Sequence, residues 1–225
     1  MATQTEQPST VAEQVSDIAS EVYAPRRVDV VLRGLDLIIS GSALILLSPL
    51  LGLLALATLI TSGRPVLYRG ERVGRAGRVF TMYKLRTLRP GAEARLGNTY
   101  GEELSRRTEE EVTMVGKAAR LTHIDEVPQL FNVIQGDMSM VGPRPVRPAF
   151  FNRLCEEIPT YWQRLVVRPG VTGFAQTRIT REDSWEDKLI HDLEYIADRS
   201  IRLYLRVLGA TMTRIVSLTL RGRDR

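Results

Sequence analysis

Hydrophobic and polar positions are distributed unevenly along this chain, and the unevenness sorts it into elements. Residues 1–24 are polar, rich in Ser, Thr, Gln and Glu, with no basic residue before Arg26. A secretory signal needs an early positive end and a prompt apolar core, so this stretch reads as a disordered or loosely helical tail. Residues 37–60 then carry no charge and are dominated by Leu, Ile, Ala and Val. That is long enough to cross the hydrocarbon core of a bilayer as a straight helix, and it lacks the polar face of a soluble helix. Ser48-Pro49 falls in its middle. Pro49 removes one helical hydrogen bond and releases the carbonyl of Ile45, so a kink is predicted there. Arg26, Arg27 and Arg33 precede the run, and Arg64, Arg69, Arg72, Arg75 and Arg78 follow it. Basic residues mark the cytoplasmic side, and both ends carry them. A segment that enters, breaks at Pro49 and leaves by the same leaflet satisfies both flanks; a kinked spanning helix is the alternative. Asp36 stands three residues after Arg33, a spacing that permits an ion pair near the headgroups.

Beyond the apolar run the periodicity changes. Residues 65–69 and 78–85 read as short strands joined by a loop holding Gly70, Gly74 and Gly77. Residues 89–111 are polar, and 115–120 read as a brief helix. A further helix begins around Asp125 and Glu126, with Thr122 as its cap, Pro128 in its first turn, Val127, Leu130, Phe131 and Ile134 at helical spacing, and Gly136 as its stop. Residues 149–164 pattern as an amphipathic helix with Phe150, Leu154, Ile158 and Tyr161 on one face. Residues 167–173 are turn-rich. Residues 185–197 and 201–220 read as helices, the last mixing Leu, Val and Ile with Arg202, Arg206 and Arg214, which suits an anionic membrane surface or packing against the body. The predicted class is α+β and helix-rich: an N-terminal re-entrant, helix-break-helix membrane segment, a small β-sheet and amphipathic interfacial helices. The predicted division is a tail (1–25), a membrane-inserted segment (26–63) and a cytosolic, membrane-associated catalytic domain (64–225).

Charge and cysteine usage narrow the picture. There are 31 Lys+Arg against 26 Asp+Glu, for a net charge of +5, and only Lys84, Lys117 and Lys188 are lysines. The arginine excess suits phosphate recognition and an anionic membrane surface, and an arginine-rich codon usage would give the same bias. Cys155 is the one cysteine, which excludes a disulfide framework and places the catalytic domain in a reducing compartment. No Walker loop, strand-following GxGxxG, HExxH or serine elbow appears. The arginines flank an apolar segment rather than a nucleic-acid module, so no nucleic-acid partner is expected.

The candidate chemistry lies in residues 120–145. Helix N-termini favour ionised carboxylates and bound phosphates. Neighbours on a helix point about 100° apart, so Asp125 and Glu126 can take different roles, one attacking and one as base or orienting group. Arg120 lies upstream, and Pro143 and Pro145 fix the backbone around Arg144, an arrangement suited to phosphate. Arg168 is likewise held beside a proline. The alternative is a non-catalytic membrane-surface scaffold that binds anionic lipid or a partner protein, with Asp125-Glu126 a simple cap.

The ordered set LDL at 35–37, SPL at 48–50, YKLRT at 83–87, DEVPQLFNVIQGDMSMVGPRP at 125–145 and VRPGVTGFAQ at 167–176 resembles the bacterial sugar transferases, the monotopic phosphoglycosyl transferases. The resemblance implies transfer of a phosphosugar from a UDP-sugar to undecaprenyl phosphate with release of UMP, as the first membrane step of polysaccharide or glycoconjugate synthesis. It implies Asp125 as nucleophile through a covalent phosphosugar intermediate, Glu126 assisting, Mg2+ near Asp125, Arg120 at the phosphate site, and Pro143, Arg144 and Pro145 at the nucleotide; Arg168 is a further candidate for substrate binding. Ser48 and Pro49 match the family's membrane-helix break. The implied place is the cytoplasmic face of the bacterial inner membrane, with membrane lipid as a partner and a homodimer left open. Two departures stand out: Phe174 replaces a common Trp, and 177–181 replace an Asn-Gly-Arg type run, leaving open which arginine acts there. The chain looks like the small, single-module form of the family.

Overall fold

The computed structural model describes residues 26–97, 101–178 and 184–221; the N-terminal tail lies outside them. Helix α1 (Arg27–Ser62) is 36 residues long, a single helix that continues through Pro49. The hydroxyl of Ser48 donates to the Ile45 carbonyl at 2.9 Å, supplying the partner that Pro49 cannot. The Ser-Pro pair therefore heals part of the break that the sequence predicts. The middle of α1 is not covered by the rest of the fold: its buried residues are Leu32, Asp36 and Ser40 toward the start and Thr58 toward the end.

Both ends of α1 are tied to one body. At the start, Arg26 Nη1 donates to the Ala197 carbonyl at 2.8 Å and Arg199 pairs with Asp29 at 2.7 Å. Arg33 donates to the carbonyls of Val133 and Ile134 at 2.6 and 3.0 Å, so it caps a neighbouring helix and makes no ion pair with Asp36. Asp36 instead accepts from Ser139 Oγ, the Met140 N–H and Tyr204 Oη at 2.8–2.9 Å. At the far end, Arg86 Nη2 donates to the carbonyls of Ser62 and Gly63, both at 2.7 Å, satisfying acceptors that a helix C-terminus leaves free.

Strands β1 (Leu67–Val73) and β2 (Val79–Leu85) form an antiparallel hairpin running from Leu67 opposite Leu85 to Val73 opposite Val79. Short helices α2 (Ala92–Leu96), α3 (Gly101–Glu110) and α4 (Met114–Leu121) follow. Helix α5 (Gln129–Gln135) leads into β3 (Ser139–Val141), which pairs in parallel with β4 (Gly170–Thr172). The amphipathic stretch predicted over 149–164 divides into α6 (Pro148–Glu157) and a 3-10 turn (Tyr161–Val166). Ile158 precedes Pro159 and is extended, at φ −129° and ψ 92°, because the residue before a proline is pushed out of the helical region. Helices α7 (Phe174–Arg178), α8 (Trp185–Asp198) and α9 (Ile201–Arg221) complete the chain.

The core lies in three clusters. Phe151, Leu154, Tyr161 and Leu189 join α6 to α8; Leu32, Val141, Tyr204 and Val207 join α1, β3 and α9; Met82, Val133 and Met138 join the hairpin to α5. Several large apolar side chains on α4, α5 and α9 remain exposed, among them Met114, Phe131, Ile134, Leu205, Met212 and Val216.

Candidate active site

Helix α4 starts where the Thr113 hydroxyl accepts the Gly116 N–H at 2.9 Å, and it carries Arg120 in its last turn. Thr122 does not cap the next element as the sequence reading expects. Its hydroxyl turns back to the carbonyls of Ala118 and Ala119 at 3.0 and 3.2 Å. His123 then takes a left-handed conformation, φ 56°, which reverses the chain. Asp125 and Glu126 occupy the single 3-10 turn Ile124–Glu126, and α5 begins three residues after Glu126. The acids thus sit on a tight turn between two helices rather than in the first turn of one.

Asn132 fixes this turn against the hairpin. Its side chain is fully buried, accepts the Tyr83 N–H at 3.1 Å and donates to the Thr81 carbonyl at 2.7 Å. Lys84, one residue beyond Tyr83 on β2, is thereby placed to donate from Nζ to Glu126 Oε1 at 2.6 Å. Arg144 Nη2 stands 3.8 Å from the same oxygen. Arg120 donates from Nε to Thr87 Oγ1 at 2.9 Å, just past the end of β2.

The two carboxylates consequently differ. Asp125 is 8% exposed, and its side chain makes no hydrogen bond among the described residues. Burial, then repulsion from Glu126, pushes its pKa up to about 6, against the opposing pull of Lys84, Arg120 and His123. Burial also works against ionisation of Glu126, but the attraction of Lys84 and Arg144 outweighs it and holds that carboxyl down at about 2. A neighbouring pair of acids with well-separated pKa values is a common mark of a functional site.

The Pro143-Arg144-Pro145 segment leaves β3 and is held on β4 by backbone bonds from the Gly142 N–H to the Thr172 carbonyl (2.9 Å) and from the Gly170 N–H to the Pro143 carbonyl (3.0 Å). Glycine is required for this approach: a Cβ on Gly170 would lie 2.1 Å from Gly142 N. A cleft of about 80 Å³ opens beside Arg144, lined also by Arg72, Met82, Lys84, Gln129 and Pro145.

The structure therefore gathers Asp125, Glu126, Arg120, Arg144 and the two prolines around one place. Arg168 is set apart: its Nε donates to the Gly136 carbonyl at 2.8 Å, at the other end of α5 from the acids. Arg178 pairs with Glu194 at 3.4 Å and lies over the Phe174 ring, while Arg181 falls outside the described residues. Local pattern alone does not place Lys84, Arg72, Gln129 or Asn132 beside the acid pair. The positions of Lys84 and Asn132 depend on contacts between residues 42 to 51 apart, which no local pattern encodes. No group of three or more His, Cys, Asp or Glu side chains gathers among the described residues.

A buried carboxylate with no hydrogen-bond partner among the described residues thus stands beside an acid engaged by two cations, within a body that holds both ends of a long apolar helix. The chain belongs to the bacterial sugar transferase family, whose model matches residues 27–218. It is 36% identical over 175 residues to the UDP-N-acetylgalactosamine-undecaprenyl-phosphate N-acetylgalactosaminephosphotransferase of Aeromonas hydrophila, a match covering 76% of this chain and 40% of that protein. It is 36% identical over 179 residues to the UDP-glucose:undecaprenyl-phosphate glucose-1-phosphate transferase of Caulobacter vibrioides, covering 75% and 64%. The undecaprenyl-phosphate galactose phosphotransferase of Salmonella typhimurium is 32% identical over 159 residues, covering 66% and 33%. The chain spans between a third and two thirds of the length of these relatives.

Proposed function

We propose that this chain transfers a phosphosugar from a UDP-sugar to undecaprenyl phosphate through a covalent intermediate on Asp125, releasing UMP. The observation that carries this reading is the difference between the two acids: Asp125 is buried with no hydrogen-bond partner among the described residues, while Glu126 beside it is engaged by Lys84 and Arg144. An unpartnered carboxylate is free to attack, and an engaged one positions the cations around it. An Asp125 oxygen bonds to the sugar-linked phosphorus, and the bond from that phosphorus to the oxygen bridging to UMP breaks. The electron pair leaves on UMP, so no proton is required. An oxygen of the lipid phosphate then attacks the same phosphorus, and the Asp125–phosphorus bond breaks. Arg120, Lys84 and Arg144 offset the charge that would otherwise repel the carboxylate.

Magnesium fits this donor set. Glu126 is already engaged, so Asp125 together with phosphate oxygens of the donor would hold the ion, the usual arrangement for a cation that keeps several waters. It would supply neutralisation of the diphosphate charge.

The reading also sets the enzyme on the cytoplasmic face of the bacterial inner membrane with α1 inserted re-entrantly. Supporting this, one body holds both the start of α1, through Arg199, Arg33 and Asp36, and its end, through Arg86. A spanning helix would carry its ends to opposite faces, and a folded body cannot sit on both. The exposed apolar side chains of α4, α5 and α9 suit contact with the membrane interface.

The test is incubation of the detergent-solubilised protein with magnesium and a panel of UDP-sugars radiolabelled in the sugar, without lipid acceptor. Wild type should retain label after denaturation and Asp125→Asn should not. Equal labelling of the two would refute the role of Asp125, and absence of label from wild type with every sugar would favour a scaffold.

A further inference from the structure

The cleft beside Glu126 gathers three cations. Arg72, Lys84 and Arg144 line it, and Glu126 is the acid that Lys84 and Arg144 share. Arg72 projects from β1 and has no carboxylate partner among the described residues; it donates to the Glu71 carbonyl at 2.7 Å. Burial is the largest influence on its guanidinium and works against its charge, and Arg147 and Arg144 add repulsion. A desolvated cation among other cations is stabilised when an anion joins them.

Gln129 points to the same ligand independently. It is 3% exposed, its Nε2 is buried without a hydrogen-bond partner, and it lines the cleft. A buried amide left in that state is destabilising, and an acceptor oxygen in the cleft would satisfy it. A space of about 80 Å³ holds several waters; it suits a phosphoryl group rather than a whole nucleoside.

Position decides which phosphoryl group. Lys84 and Arg144 each face both the cleft and Glu126, the residue after the nucleophile, so the cleft lies next to the reacting phosphorus rather than on it. Resting on the proposed transfer reaction, we propose that Arg72 binds the phosphate of the departing UMP in this cleft, with the Gln129 carboxamide as a second donor. As the phosphorus–oxygen bond breaks, the electron pair stays on the bridging oxygen, which becomes a terminal oxygen of UMP. A guanidinium already placed there stabilises the charge as it develops.

The test compares UMP with uridine, which lacks the phosphate, by calorimetric titration of the full chain in detergent. Loss of a charged hydrogen bond, worth about 1.5–3 kcal/mol, predicts that Arg72→Gln binds UMP roughly 10- to 100-fold more weakly, with uridine affinity unchanged. Arg72→Lys keeps the charge, loses the fork and should fall between the two. Gln129→Met should weaken UMP about fivefold and spare uridine. UMP affinity within twofold of wild type in Arg72→Gln would overturn the inference, as would equal losses for UMP and uridine. If Arg72→Gln does not fold, Arg72→Lys decides: unchanged UMP affinity overturns the proposal. Wild type labelled by UDP-sugar alongside an unaffected Arg72 variant would defeat this inference alone. Wild type that neither takes label nor releases UMP would defeat the transfer reading beneath it.

Discussion

Asp125→Asn should stabilise the protein while abolishing its labelling. In the folded chain the Asp125 carboxyl is raised from 3.8 to about 6, chiefly by burial. Between those two values the folded state keeps a proton that the unfolded state has released, so stability falls as pH rises through the window and stays lowered above it. At 1.36 kcal/mol per pKa unit, a rise of roughly two units corresponds to about 3 kcal/mol at most. Asparagine has nearly the same shape and no proton to lose. The variant should therefore exceed wild type by about 2–3 kcal/mol at pH 7.5, and the gap should close below pH 4. The measurement is urea unfolding of detergent-solubilised protein, followed by fluorescence of Trp162 and Trp185, at both pH values. A variant no more stable than wild type at pH 7.5, or a gap that persists on acidification, would refute the claim that Asp125 is held ionised against its surroundings.

Four other outcomes are expected. The rate of covalent labelling should fall about tenfold per pH unit below pH 6 as Asp125 protonates, with no second acidic step down to pH 4, because Glu126, held at about 2, remains ionised; a rate flat from pH 7 to 5 would contradict this. Asn132→Leu leaves the Tyr83 N–H and the Thr81 carbonyl unpaired and should cost about 2–4 kcal/mol in urea unfolding, with a slower labelling rate as Lys84 moves from Glu126; an unchanged midpoint would count against it. Gly170→Ala brings a Cβ within 2.1 Å of Gly142 N and 2.2 Å of the Thr172 carbonyl and should cost more than about 3 kcal/mol. Gly209→Ala in α9, with nothing within 4 Å of the added Cβ, should be neutral or stabilising by up to about 1 kcal/mol.

What the sequence makes legible follows the range of the interactions involved. The apolar run, the two strands and helices α8 and α9 are set by local pattern, and they lie within a few residues of their predicted bounds. The acid pair is legible as a motif, but its division of labour is not. That division depends on Lys84, 42 residues earlier in the chain, and on the Asn132 bridge that brings β2 to α5. Local reasoning also misassigns partners when a longer-range one is stronger. Arg33 stands three residues from Asp36, yet its guanidinium goes to the carbonyls ending α5, and Asp36 takes three donors from β3 and α9. Thr122 is a plausible cap by position, yet its hydroxyl serves the helix behind it. For Arg33 and Thr122 the partner taken is a backbone carbonyl near a helix end, and for Asp36 it includes the Met140 N–H of a strand, groups that need a partner in the folded state.

The same contacts that were illegible tie the apolar helix and the acid pair into one frame. Asp36 lies on α1 one residue before the charge-free run begins, and it holds Ser139 and Met140 of β3, the strand that continues into Pro143-Arg144-Pro145. Arg86 follows β2, the strand that carries Lys84, and it holds the last carbonyls of α1. The cations around Glu126 are therefore connected to the two ends of the apolar helix through one short strand each. A change in how α1 sits would move Lys84 and Arg144 relative to the acid pair, and with them the balance that leaves Asp125 unpartnered and Glu126 clamped. In the proposed transfer a water-soluble donor and a lipid-anchored acceptor would meet at Asp125, and the hydrogen bonds of Asp36 and Arg86 tie both ends of the apolar helix to the strands that carry the neighbouring cations.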